Sequence, residues 1–149
     1  ERAGHMFFAD RDFGYDDAIY ASCRLGEILA KKRKPLSHLL SDLAVTVVTP
    51  EIRIDCSDDV KFKLVEKVRE RFLNLHKNPD PTKPQLVVRD VVTIDGIRVR
   101  FDDGWGLVRA SNTQPALVLR FEANSQDRLD SLRSYLEGEL YACQCALEL

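Results

Sequence analysis

The sequence lacks a long apolar run, a large excess of one charge and any recognisable export signal. No apolar segment approaches the length that spans a lipid bilayer, and no secretory signal is visible, so we expect no membrane partner. The 22 Lys and Arg residues nearly balance the 24 Asp and Glu residues, which gives a formal net charge of −2. A nucleic-acid partner held by bulk electrostatics is therefore not expected.

Paired cysteine motifs are also missing. The 4 cysteines are Cys23, Cys56, Cys143 and Cys145, and no two of them form a C-x-x-C pair. Such a pattern favours reduced, structural thiols in a cytoplasmic protein rather than disulfides or a metal site. The chain opens at Glu1 instead of at a methionine, and we expect it to be a fragment or a processed chain.

A chain of 149 residues with 44% hydrophobic residues has room for one core and a piece of another domain. The first piece, residues 1–43, begins with His5–Phe8, which reads as the end of a buried strand. A helix from about Asp16 to Ala30 follows, closed by the basic run Lys31–Lys34, and a short amphipathic helix covers Leu36–Leu43. Ala44–Pro50 has no helical period, so we interpret it as an extended connector and a domain boundary.

Residues 51–149 predict an α+β domain with a largely antiparallel sheet. Glu51–Cys56 alternates like a strand, and Ser57 can cap a helix with a buried stripe from Leu64 to Leu75. A strand is predicted over Gln85–Ile94, a hairpin turn at Asp95-Gly96, and further strands up to Ala123. Ser125 can cap a last helix. We expect the two helices to cover one face of the sheet.

The segment "LVRASNTQPALVLRF", from Leu107 to Phe121, breaks two apolar strands with one cation and short polar side chains. An arginine fork can meet two phosphate oxygens, hydroxyl groups can donate to others, and backbone N–H groups in a turn can form an anion nest. From composition alone, the loop is either a phosphate-binding loop or a polar hairpin turn with a surface arginine.

Three segments together resemble the α-D-phosphohexomutase family, which includes phosphomannomutase/phosphoglucomutase. "GWGLVRASNTQPALVLRFEA" is similar to the family's C-terminal signature, "TPEIRIDC" to the start of its fourth domain, and "GHMFFADRDFGYDDAIYA" to a stretch of its third domain. The resemblance covers essentially the whole chain. It implies a TATA-box-binding-protein-like fourth domain at residues 51–149, a hinge at 44–50, and the tail of an α/β sugar-binding third domain at 1–43.

The resemblance also implies a function and a site. The family interconverts hexose 1- and 6-phosphates through a bisphosphorylated intermediate. Its fourth domain binds the phosphate that is not reacting. The implied phosphate ligands here are Arg109, Ser111, Asn112, Thr113 and Gln114, with help from backbone N–H groups of residues 112–114. Glu1 and His5 match the sugar-binding loop, although Ala3 stands where the family usually has Ser. From the residues alone, Glu1 is a frayed end and His5 a strand-end histidine.

The family's phosphoserine loop and aspartate-rich metal loop have no counterpart in this sequence. We therefore expect Mg²⁺ and hexose 1,6-bisphosphate to serve a full-length enzyme, with no metal or catalytic residue in this chain. The missing N-terminal domains would be its partners, and the chain alone should be inactive. Two alternatives remain: a stand-alone phosphosugar-binding module, and a protein-interaction or nucleic-acid-binding domain with the same layout and no catalysis.

Overall fold

The computed structural model describes residues 4–147. The chain divides into two compact units with the boundary between Leu43 and Ala44. The first unit contains helix α1, Ala18–Lys32, and helix α2, Leu36–Leu39. Asp17 caps α1, because its carboxylate accepts hydrogen bonds from the N–H groups of Ile19 and Tyr20, both at 2.9 Å. Lys31 and Lys32 occupy the last turn of α1, as the basic run predicted.

The first unit differs from the sequence prediction at its start. His5–Phe8 is not a buried strand, since Phe7 is 65% exposed and joins only one isolated antiparallel bridge, to Asp16. A strand needs a neighbour to satisfy its backbone groups. Within residues 4–43 this segment has that bridge and one hydrogen bond from the N–H of Gly14 to the carbonyl of Phe8, at 3.1 Å, which do not make a ladder. The predicted second helix is also shorter than expected, and it ends at Leu39 rather than Leu43.

The second unit is built on a six-stranded antiparallel sheet. Along the described chain its strands and helices are β1 Val47–Val48, β2 Ile52–Asp55, α3 Asp58–Lys77, a 3₁₀ turn Pro84–Leu86, β3 Asp90–Val92, β4 Ile97–Arg100, β5 Gly104–Ala110, β6 Ala116–Ala123 and α4 Gln126–Cys145. The strands lie in the order β1–β6–β5–β4–β3, and β2 also pairs with β6. The predicted α+β class with an antiparallel sheet is confirmed.

The core lies between the sheet and the two long helices α3 and α4. Every apolar position predicted for α3, from Leu64 to Leu75, is buried, and so are Ile97, Val99 and Phe101 beside them on the sheet. Ser125 accepts a hydrogen bond from the N–H of Arg128 and caps α4 as expected. Ser57 occupies the N-cap position of α3, but its side chain makes no capping bond.

Two segments pair differently from the prediction. The strand expected over Gln85–Ile94 covers only Asp90–Val92, because Pro84–Leu86 forms a 3₁₀ turn before it. The connector Ala44–Pro50 is not wholly unpaired, since Val47 and Val48 pair with Ala123 and Glu122. The eight-residue strand β6 extends past β2, and β1 occupies the remaining length of that edge.

Candidate phosphate-binding site

The hairpin between β5 and β6 carries the predicted phosphate loop. Arg109 is the second-to-last residue of β5 and stands opposite Val118, while Ala116 opens β6. The N–H of Ser111 donates to the carbonyl of Ala116 at 2.9 Å, so the two ends of the loop are fixed to each other. The side chains of Asn112 and Thr113 are exposed at the tip, and Ser111 is half-buried. One short loop thus brings all the predicted phosphate ligands together.

The Ser111 hydroxyl organises the loop from within. Its oxygen accepts hydrogen bonds from the N–H groups of Thr113, at 3.4 Å, and Gln114, at 3.2 Å. This is the local side-chain-to-backbone turn that serine favours. The hydroxyl hydrogen of Ser111 is not used in either bond and can donate to an anion. Two of the backbone N–H groups expected to assist a phosphate are therefore turned inward, in long bonds.

A carboxylate that the sequence analysis missed lies beside Arg109. Asp95, in the turn between β3 and β4, accepts a hydrogen bond from an Nη atom of Arg109 at 3.2 Å. Gly96 has φ +72°, and a Cβ there would lie 2.3 Å from the carbonyl oxygen of Val108. Only glycine lets this turn approach β5 so closely. The Asp95-Gly96 hairpin signal, combined with the β4–β5 register, could have found this contact.

Gln114 is held by residues of the β2–α3 segment. Its side-chain oxygen accepts a hydrogen bond from Arg53, and its backbone carbonyl accepts one from the buried Lys61 Nζ at 2.9 Å. The next carbonyl, that of Pro115, accepts the N–H of Cys56 at 2.9 Å. The C-terminal half of the loop therefore rests on the start of α3. Burial raises the pKa of the Cys56 thiol, and the charge of Lys61 opposes that rise.

The two residues predicted to contact sugar belong to the first unit. Glu1 lies outside the described residues. His5 is exposed, and its Nδ1 contacts a carboxylate oxygen of Asp16. Within residues 4–147, no group of three or more His, Cys, Asp or Glu side chains could hold a metal ion. In the same range, no helix is long and apolar enough to cross a bilayer.

Apart from the loop, a concavity lies between β2 and α4, and its lining includes Ile52, Leu117 and Tyr141. It is mainly apolar. Its arginine, Arg133, is already paired with Glu137, with Nε and Oε1 2.8 Å apart. The β5–β6 loop is better suited to an anion, because an arginine, hydroxyl groups and amides lie together on one exposed loop whose backbone is anchored.

Comparisons with known proteins place the chain in a family. Residues 51–138 match the family model described as phosphoglucomutase/phosphomannomutase, C-terminal domain, and residues 1–47 match the model for alpha/beta/alpha domain III. The chain therefore belongs to the phosphoglucomutase/phosphomannomutase family, as its resemblance to the α-D-phosphohexomutases predicted.

Individual relatives agree. A phosphomannomutase/phosphoglucomutase of Pseudomonas aeruginosa is 38% identical over 147 residues, and a phosphoglucomutase of Neisseria gonorrhoeae is 38% identical over 136 residues. A solved structure of a family protein from Burkholderia thailandensis superposes with a TM-score of 0.72 at 40% identity, covering 95% of this chain and 27% of its own. The match to the Pseudomonas aeruginosa relative covers 99% of this chain and 29% of that protein. The match to the Neisseria gonorrhoeae relative covers 90% of this chain and 27% of that protein. The chain therefore spans less than a third of the length of these relatives.

Proposed function

We propose that this chain is the C-terminal part of a cytoplasmic phosphohexomutase that interconverts hexose 1- and 6-phosphates. Its own task is to bind the substrate phosphate through the β5–β6 loop and to close the active site. The observation that carries the proposal is the convergence of Arg109, Ser111, Asn112 and Thr113 on one exposed, anchored hairpin loop. The names of the relatives support the reaction class.

Each loop residue has a distinct part in the proposed contact. Arg109 supplies a positive charge and a planar fork for two phosphate oxygens. Ser111 and Thr113 donate from their hydroxyls, and Asn112 from its amide. Gln114 can donate through its backbone N–H and through its side-chain amide nitrogen, because Arg53 engages only its side-chain oxygen. A phosphate oxygen that replaces the Ser111 oxygen as acceptor would release the two inward N–H groups toward the ligand.

The remaining parts of the enzyme would lie elsewhere in the longer protein. Glu1 and His5 would contact sugar hydroxyls within the third domain. Mg²⁺ and the hexose 1,6-bisphosphate would be bound with the N-terminal domains of the full-length enzyme. A metal of this kind offsets the charge that develops as a phosphoryl group moves.

The connector would act as a hinge between the third and fourth domains. Val47, Val48 and Thr49 are hydrogen-bonded to β6, so we place the moving part of the predicted hinge, 44–50, at its first residues, Ala44 and Val45. Closure by such a hinge would exclude water and complete the site. An interdomain distance that stays the same with and without a sugar phosphate would contradict this proposal.

The function is tested with Arg109→Ala in a full-length enzyme that contains this chain. With mannose 1-phosphate or glucose 1-phosphate as substrate, kcat/KM should fall about 10- to 100-fold, since each tenfold corresponds to about 1.4 kcal/mol of lost transition-state stabilisation. Arg133→Ala removes an arginine from a surface ion pair on α4 and serves as the matched control. Equal kcat/KM values for the two variants, or no mutase activity in the parent, would show that the proposal is wrong.

A further inference from the structure

Lys61 is the one buried charged residue within residues 4–147. Its side chain belongs to the first turn of α3, and the residue is only 3% exposed. Lysine is almost never fully buried unless its ammonium is paired, because removing the charge from water is costly. Its environment therefore has to supply partners for the ammonium group.

The partners of Lys61 tie α3 to the phosphate loop. Nζ donates to the carbonyl oxygen of Gln114 at 2.9 Å and lies 2.5 Å from Oδ1 of Asp58. The same Gln114 carbonyl accepts the N–H of Ala116 at 2.8 Å. The Gln114 carbonyl, at the point where the loop rejoins β6, thus accepts one hydrogen bond from a buried cation and one from the first residue of the strand.

We propose that Lys61 is the positioning residue of the phosphate site. By holding the Gln114 carbonyl it keeps the donors of Ser111, Asn112 and Thr113 in place before the ligand arrives, so less conformational entropy is lost on binding. Its positive charge, held against the loop backbone and only partly offset by the exposed Asp58 carboxylate, also favours a dianion at the loop. This inference rests on the proposed function, because it takes the loop to be a phosphate site.

Lys67 offers a matched control on the same helix. Its Nζ donates to the carbonyl oxygen of Ala146 at 3.0 Å, so it too links α3 to a backbone carbonyl, but at the C-terminal end of α4. Lys61→Met and Lys67→Met each remove one charge and one lysine–carbonyl hydrogen bond. Asp58, the carboxylate left behind in Lys61→Met, has a largely exposed side chain and remains hydrated.

The experiment is a titration of the 149-residue chain with inorganic phosphate, followed through its amide NMR signals. In the wild type, the signals of residues 109–114 should shift first. In Lys61→Met the affinity should fall roughly five- to tenfold, as expected for one lost charge-assisted contact and a less ordered loop. In Lys67→Met it should stay within about twofold of the wild type. Urea denaturation of each variant establishes that the compared samples are folded.

A second readout needs no variant. The buried Lys61 ammonium should give its own NMR signal, which should shift with the same midpoint as the loop amides, while the Lys67 ammonium does not follow them. An ammonium that positions the loop must respond when the loop binds its ligand, so an unmoved Lys61 signal would overturn the proposal even if Lys61→Met does not fold.

The outcomes separate the two proposals. A wild-type loop that does not respond to phosphate would overturn the proposed function and this inference together. A responsive loop with equal affinity in Lys61→Met and Lys67→Met would overturn only the role of Lys61. So would a responsive loop whose titration leaves the Lys61 ammonium signal unmoved.

Discussion

Arg109 already has an anionic neighbour. The Asp95 carboxylate accepts its hydrogen bond at 3.2 Å, and both side chains are partly exposed to solvent. A phosphate that binds to Arg109 must share the guanidinium with this carboxylate or displace it. For the proposed phosphate site, Asp95 is therefore a competing anion that also holds the Arg109 guanidinium through an ion pair.

Replacing Asp95 by Asn should raise the affinity of the chain for inorganic phosphate. An exposed ion pair contributes about 0.2–1 kcal/mol, so removing the competing charge should tighten binding up to about fivefold. The measurement is the NMR titration of residues 109–114. Asp90→Asn is the control, since it removes a carboxylate of the same β3–β4 hairpin that pairs with Arg100 instead of Arg109. Weaker binding in Asp95→Asn would mean that ordering of Arg109 outweighs competition.

Tyr135 makes the free energy of unfolding depend on pH in the alkaline range. Burial, assisted by the nearby Glu139 carboxylate, raises the pKa of Tyr135 to about 12 from an ordinary value of 10.0. The unfolded chain therefore loses this proton first as the pH rises. The contribution of the neutral phenol is complete below pH 10 and is lost as the pH approaches 12, because there the folded state binds more protons.

Tyr135→Phe should make the unfolding free energy less dependent on alkaline pH. Urea denaturation at pH 8, 10 and 11 should show the wild type losing up to about 1.4 kcal/mol more per pH unit than the variant above pH 10. All other titratable groups are present in both proteins, so the difference between the two curves isolates the phenol. Parallel curves would contradict the prediction.

At the scale of helices and strands, α4 packs closely on β5 at Gly106. A Cβ at this position would lie 2.7 Å from Cδ1 of Leu136 and 3.0 Å from the ring of Phe121. The absence of a side chain at Gly106 thus lets the leucine stripe of α4 rest directly on the sheet. Interiors packed at this density do not absorb an added methyl group without displacement.

Gly106→Ala should lower the unfolding free energy by about 1–3 kcal/mol through overpacking. Gly138→Ala is the matched control in α4, where an added Cβ meets nothing within 4 Å. That substitution should stabilise the protein by about 0.5–1 kcal/mol, because alanine is the better helix former. Denaturant unfolding measures both. Two changes of the same sign would refute the packing argument.

The sequence was sufficient to predict helices and turns that have a strong local pattern. It was insufficient to predict strands whose pairing depends on distant residues. The buried stripe of α3 and the turn at Asp95-Gly96 follow from spacing and turn chemistry. The strand at Val47–Val48 does not, because it exists only where β6 extends past β2. Likewise, the residues proposed as phosphate ligands follow one another in a short motif, whereas Lys61 contacts their loop from 53 residues away in the sequence.

At the scale of the whole molecule, the two units differ in how they are held together. The second has the buried core, whereas none of residues 4–43 is buried. Large apolar side chains such as Phe13, 92% exposed, and Ile19, 79% exposed, remain in contact with water in the first unit. Apolar surface of this extent favours association with another protein surface.

Deleting residues 1–43 should leave the second unit folded. Trp105, the single tryptophan of the sequence, lies in β5, so its fluorescence reports on the second unit alone. The urea midpoint of residues 44–149 should equal that of the whole chain. Light scattering should show the shorter chain as a monomer and the 149-residue chain as self-associating. A lowered midpoint, or a strictly monomeric whole chain, would contradict this prediction.

The position of β6 has a consequence for the order in which the protein folds. Its partners β1 and β2 lie more than 60 residues earlier in the chain, and loops that long close slowly. During synthesis, residues 47–55 must therefore wait for residues 116–123 to leave the ribosome before they can pair. The contacts from Arg53, Cys56 and Lys61 to the phosphate loop form in the same late step. A nascent chain that stops before β6 would lack these anchoring contacts, so the proposed phosphate site would be complete only once the sheet closes.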